Sequence, residues 1–117
     1  MSITVTRRNS DILEEMHEYA QKKAEKLAET FPRIEYVHVI LDMEGYRNLS
    51  EIVIQGKNHI RIEADDTHED MRTAIDASVK KASRQMNDLR KKHREHKNHV
   101  RMAEFEKIVS TDNEDKD

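Results

Sequence analysis

The chain has no cysteine and no tryptophan, and only two glycines and one proline among its 117 residues. Without thiols there is no disulfide framework, no cysteine nucleophile and no thiolate metal site, a composition suited to a reducing compartment. Gly45 and Gly56 are too far apart in the sequence to build a phosphate-cradling loop together. Aromatic residues make up 4%, too few for a platform on which single-stranded bases would stack. No apolar run approaches the roughly 20 residues of a membrane span. The first residues show neither the apolar core of a secretory signal nor an Arg/Ser-rich transit pattern. The expectation is a small cytoplasmic chain with no membrane partner.

Charge is what the chain has in excess. Charged residues make up 38% against 35% apolar, so one modest core is surrounded by a highly charged surface. The net charge of −3 conceals a segmental asymmetry. Residues 1–79 hold 10 basic and 16 acidic groups, residues 80–97 hold 8 and 2, and residues 98–117 hold 3 and 6. The net charge would argue against a polyanionic partner, but the cationic block between Lys80 and Lys97 does not.

That block lies in a long periodic stretch. From Asp70 to Lys97, Met71, Ile75, Ser78, Ala82, Met86, Leu89 and His93 recur at the spacing of one helical face. Lys80, Arg84, Lys91 and Arg94 occupy the opposite side, flanked by Arg72, Arg90 and Lys97 and by Lys81 and Lys92. The spacing predicts a helix from Thr67 to Lys97, with Thr67 and Asp70 as its capping pattern and Asp66, Glu69 and Asp70 at the positive end of its dipole. One side of it is buried and the other cationic.

Upstream, β-branched alternation predicts a strand over Ile3–Arg7. Ser10 or Asp11 then caps a first helix that carries Ile12, Met16, Tyr19, Ala20, Leu27 and Phe31 on its buried side and ends at Pro32. Tyr19 and Phe31 are core candidates. Lys22, Lys23 and Lys26 gather along one edge of this helix. Strands follow over Ile34–Asp42, Ser50–Gln55 and His59–Ala64, joined by a loop at Met43–Leu49 and a tight turn at Gly56–Asn58. The order is β-α-β-β-β-α: an α+β fold with a four-stranded sheet and two helices packed on one face. Residues 1–97 form this domain. Residues 98–117 read as an acidic, flexible tail, with Met102, Phe105 and Val109 able to form one more amphipathic turn.

No catalytic constellation emerges, so the chain reads as a binder and not an enzyme. Asp65, Asp66, Glu69 and Asp70 fit helix-start electrostatics better than a divalent-cation site. His93, His96 and His99 lack a third ligand at proper spacing and any zincin signature, so no metal or other cofactor is expected. The cationic block extends well beyond the last helical turn, where a dipole would favour it, and stands in an otherwise acidic chain. It therefore points to a phosphate-bearing partner recognised by shape and backbone. The competing reading is a protein-interaction module that docks a partner helix on the Met-bearing stripe of the second helix.

Several segments resemble the ribosome hibernation promoting factor family, which includes the ribosome-associated inhibitor, or protein Y, and was once named for sigma-54 modulation. They are EKLAETFPRI at the end of the first helix, EDMRTAID (residues 69–76) and KKASRQM (residues 80–86). The most specific elements are Asp70-Met71, Ala74-Ile75-Asp76 and Lys81 with Arg84-Gln85. The resemblance covers residues 1 to about 97, in the manner of short forms with a C-terminal tail. Arg72 stands where an aromatic commonly follows the Asp-Met pair. The resemblance implies a fold similar to double-stranded RNA-binding domains. It further implies a monomer that binds the small ribosomal subunit and its rRNA in the mRNA and tRNA channel, competes with both, and silences and protects the ribosome under stress. By position it implies rRNA contact for Lys23, Lys26, Lys81 and Arg84; the charge pattern adds Lys80, Arg90, Lys91 and Arg94.

Overall fold

The computed structural model describes the backbone of residues 1–105 and the side chains of residues 1–92. Of residues 98–117, read as a tail, the backbone is described to Phe105, within α2; residues 106–117, with Val109, and the side chains of His93, Arg94, His96, His99, Met102 and Phe105 lie outside these described residues. The elements run β1 (Ser2–Arg7), α1 (Glu14–Thr30), β2 (Ile34–Glu44), β3 (Arg47–Gly56), β4 (Ile60–His68) and α2 (Met71–Phe105), with a 3-10 turn at Lys57–His59. This is the β-α-β-β-β-α order read from the sequence, in a mixed four-stranded sheet ordered β1-β2-β3-β4. β1 pairs with β2 in parallel, as the crossover through α1 requires, and the other pairs are antiparallel.

The register explains the core. Val37 stands opposite Ile3 and Ile54, Val39 opposite Val5 and Ile52, and Ile54 and Ile52 opposite Ile62 and Ala64. Because side chains alternate along a strand, these residues share one face. Val37, Val39, Leu41, Ile52, Ile54, Ile62 and Ala64 are all buried there. The helices cover this face. Ala20, Ala24, Leu27 and Ala28 bury one side of α1, and Met71, Ala74, Ile75, Ser78 and Ala82 bury the expected stripe of α2. Small alanines at these positions let the helix backbones lie close to the sheet. Where Ser50 of β3 meets Ser78 of α2, both are fully buried and their hydroxyls lie 2.9 Å apart; Ser78 Oγ also donates to the Ile75 carbonyl at 3.0 Å.

Four local readings need correction. The segment Met43–Leu49 is no open loop: Glu44 pairs with Arg47, leaving only Gly45 and Tyr46 to turn the hairpin. Gly45 has φ 62°, at the first central position, where a two-residue type II′ hairpin takes glycine. β4 continues to His68, held by the pairing of Asn48, Leu49 and Ser50 with His68, Thr67 and Asp66, so α2 starts at Met71 and not at Thr67. It also continues past Lys97 to Phe105. Finally, neither Ser10 nor Asp11 caps α1, whose N-cap is Leu13 with no side-chain cap hydrogen bond. Asn9 instead folds the entry, accepting from the Asp11 N–H through its side chain and from the Ile12 N–H through its carbonyl.

By its internal packing the chain divides within α2 into two compact units. Residues 1–83 hold the sheet, α1 and the start of α2; in residues 84–117 the described backbone is helical to Phe105.

The buried serine pair generates a test. Ser78→Ala leaves the Ser50 hydroxyl in an apolar setting without its partner and should cost about 1–3 kcal/mol. The paired change Ser50→Ala/Ser78→Ala should cost less than the two single losses together. Urea unfolding of the four proteins checks this, and strictly additive losses would show that the hydroxyls are not coupled.

Candidate nucleic-acid interface

A buried helix stripe forces the cations outward, and the local cap fixes where they begin. Asp70 precedes the first residue of α2, and its carboxylate accepts from the Thr73 hydroxyl at 2.8 Å and from the Thr73 N–H at 3.0 Å. These bonds, the hydroxyl one foremost, hold the Asp70 pKa below its ordinary value. Of the four acids assigned to the helix start, only Asp70 caps it. Asp65 and Asp66 belong to β4, and Glu69 uses its carbonyl to accept from the Asn48 side chain at 2.8 Å. Among the described residues no group of three or more His, Asp or Glu is placed to hold a metal.

From this start the helix distributes its basic residues on two flanks. On the flank facing α1, Lys23 Nζ lies 3.3 Å from Asp76 Oδ1. The same carboxylate oxygen accepts a 2.6 Å hydrogen bond from the Tyr19 hydroxyl. Lys23 and Arg72 both lie over the Tyr19 ring, at 5.5 Å and 4.8 Å from its centroid. Arg72 also reaches Glu15 of α1 at 3.8 Å. Tyr19, expected in the core, is therefore half-exposed and joins the two helices through its polar end. Phe31 is buried as expected.

On the other flank Lys81 turns to the sheet. Its Nζ donates to the Asp65 carbonyl at 2.9 Å and pairs with Asp66 at 3.4 Å. The structure thus does not bring Lys23 and Lys81 together. Asp76 and Lys81 are five residues apart, roughly 140° around the helix at ~100° per residue. Lys80 falls on the ridge between those flanks and is exposed. Lys26 is exposed on α1, and Arg84 is exposed at the start of the second unit. No ion pair engages Lys26, Lys80 or Arg84 among the described residues. Arg90 donates to the Asn87 side chain at 2.8 Å, Lys91 is half-buried, and the side chain of Arg94 lies outside the described set. Exposed cations with no ion pair among the described residues therefore remain in each unit, but two of the cations assigned to the interface are held by the chain's own acids. Asp66 and Asp76 were not singled out as lysine partners in the sequence. The only local signal was the Asp76/Lys80 spacing, which places an acid beside the basic ridge.

Comparison with known proteins now gives this arrangement a class. A ribosomal subunit interface protein from Coxiella burnetii superposes with a TM-score of 0.69 at 20% identity, covering 77% of this chain and 98% of its own. The N-terminal domain of Thermus thermophilus Protein Y gives a TM-score of 0.66 at 23% identity, covering 76% of this chain and 99% of its own. The fold is that of these two proteins. Residues 3–94 match the family model described as sigma 54 modulation protein / S30EA ribosomal protein. Ribosome hibernation promoting factors of Salmonella typhimurium and Escherichia coli K12 are each 31% identical over 96 residues, which is 82% of this chain and the whole of theirs. The chain belongs to this family, one of ribosome-associated factors and not of enzymes.

The Tyr19–Asp76 bond has a measurable signature. Its hydrogen bond to the carboxylate comes first among the causes that raise the Tyr19 pKa, followed by burial and the Asp76 charge. An acid whose folded pKa is raised contributes stability that is complete below the ordinary tyrosine value near ~10 and is lost as pH rises through the higher folded value. A phenolate absorbance titration should therefore show one tyrosine ionising late. Asp76→Asn should bring that tyrosine back towards the ordinary range, and a late step that persists in this variant would refute the assignment.

Proposed function

We propose that this chain is a ribosome hibernation factor that binds the small ribosomal subunit and lays the cationic ridge of α1 and α2 on rRNA phosphates. In this reading it occupies the channel that mRNA and the A- and P-site tRNAs use, so that the ribosome is silenced and protected during stress. The support is a family match over nearly the whole folded domain combined with exposed Lys26, Lys80 and Arg84, which no ion pair engages among the described residues. Lys26, Lys80 and Arg84 make the first contacts, and Lys23 and Lys81 join once released from Asp76 and Asp66. Arg90, Lys91 and Arg94, in the second unit, complete the set of contacts in this reading. The low aromatic content leaves phosphate and shape, not base stacking, as the basis of recognition. Catalysis has no part in it, and no described helix is long and apolar enough to cross a membrane.

The alternative, a partner helix docked on the α2 stripe, has no free surface over residues 71–78. Met71, Ala74, Ile75 and Ser78 are buried within residues 1–83, where they cover the sheet.

Cosedimentation through sucrose gradients tests the proposal. The protein should migrate with small subunits at low salt and be displaced as salt rises, log affinity falling by roughly 0.9 per phosphate contact for each unit of log salt on duplex-like sites. Lys80→Glu/Arg84→Glu alters two exposed side chains without disturbing the Lys81–β4 contact. It should weaken binding about tenfold or more while leaving the circular dichroism spectrum unchanged. Binding that survives both high salt and this double change would refute a phosphate-based mode, and prebound mRNA that fails to compete would refute the channel.

A further inference from the structure

Lys23 and Lys81 present a conflict. Resemblance assigns them to phosphate, yet in the free chain each is already engaged by a carboxylate: Lys23 by Asp76 at 3.3 Å and Lys81 by Asp66 at 3.4 Å. The four side chains remain between 32% and 48% exposed, so water and ions reach both pairs. A pair in that setting is weak and exchangeable. Each acid also carries a negative charge that repels any phosphate approaching within about a Debye length, ~8–10 Å in physiological salt.

We infer that Asp76 and Asp66 are built-in competitors for phosphate, which hold down binding to RNA at large and leave strong binding to a surface that meets both lysines at once. This rests on the phosphate-binding reading above and adds a selectivity device to it. A flexible or ill-fitting polyanion meets Lys80 and Lys26 readily but gains little from Lys23 or Lys81, because each must first leave a carboxylate. A rigid phosphate array that fits the ridge engages both lysines in one event and gains from both.

Tyr19 gives the device its reversibility. Its hydroxyl donates to the same Asp76 oxygen that Lys23 contacts. When Lys23 leaves for a phosphate, Asp76 keeps a donor, and the loss of its cation is softened. Tyr19 is thus a positioning residue for the exchange, while Asp76 opposes binding. The two members of one hydrogen bond are expected to have opposite effects on affinity, which a merely structural role would not produce. Asp66 keeps a donor on the sheet side as well, because its Oδ1 accepts from the Thr67 N–H at 2.8 Å while Lys81 contacts its Oδ2.

The experiment measures binding of the full chain to a fluorescein-labelled RNA duplex of arbitrary sequence across a salt series, with melting curves for every variant. Asp76→Asn is expected to tighten duplex binding about threefold to tenfold at low salt. Asp66→Asn/Asp76→Asn should tighten it further and steepen the log-log salt slope by up to about two. Tyr19→Phe should weaken binding about twofold to fivefold, although it loses the same hydrogen bond. Should Asp66→Asn lower the folded fraction, the comparison of Asp76→Asn with Tyr19→Phe decides alone. If the unmodified chain binds but Asp76→Asn binds equally or more weakly, the acid is a structural anchor and the competitor role is overturned. If neither the unmodified chain nor any variant binds duplex RNA at low salt, the phosphate reading falls and the competitor role with it.

Discussion

Burial of one narrow side of α2 is the constraint on which the rest depends. Met71, Ala74, Ile75, Ser78 and Ala82 are all removed from water, and at roughly 25 cal/mol per Å2 of apolar surface that burial holds the helix in one rotational setting. Once the setting is fixed, every other position has an assigned direction. Asp76 must point toward α1, Lys81 toward β4, and Lys80 between them. The cationic ridge is therefore a consequence of core packing and not an independent feature, and the Ser50–Ser78 pair helps to keep that packing in register. Two buried hydroxyls bonded to each other and, for Ser78, to the Ile75 carbonyl tolerate little sliding of helix over sheet.

The same geometry decides what the charges can do. Neither acid-held lysine is buried, so its pairing adds about 0–1 kcal/mol at most and carries no large desolvation cost. Such contacts restrict the lysines without locking them. Had Lys23 and Lys81 been drawn into the core with their acids, release would have left an uncompensated buried charge, and exchange with an external phosphate would be forbidden energetically. Exposure is thus what keeps a self-paired surface compatible with binding.

Much of this was legible in the residues themselves. Alternation and composition marked Ile34–Asp42 as a strand, and the helical period marked Met71, Ile75, Ser78 and Ala82 as a buried stripe, because a strand and a helix each repeat with one fixed period. Boundaries were less legible where two signals competed. Thr67 and Asp70 are both good caps, and the pairing of Leu49 with Thr67 and of Asn48 with His68 across the sheet keeps Thr67 in β4. Gly45 and Asn48 together looked like a loop, yet one glycine with positive φ is enough to turn the hairpin. Tyr19 sat on the apolar side of the wheel, but its hydroxyl needs a partner, and Asp76 supplies one at the rim. The Lys23–Asp76 and Lys81–Asp66 pairs were the least legible. They join elements through the tertiary fold, and no local spacing rule connects their members.

What remains is the division of labour between the two kinds of polar contact in one small domain. The buried hydroxyl pair cannot be exchanged for water or for a ligand, so it serves only the frame. The exposed ion pairs can be exchanged, so they serve whatever arrives at the surface. In a chain with 38% charged residues and a small core, this partition is what allows a net-acidic protein to keep exposed cations on one face of α2. The acids near that face hold two of its lysines, and the apolar stripe beneath sets where it points.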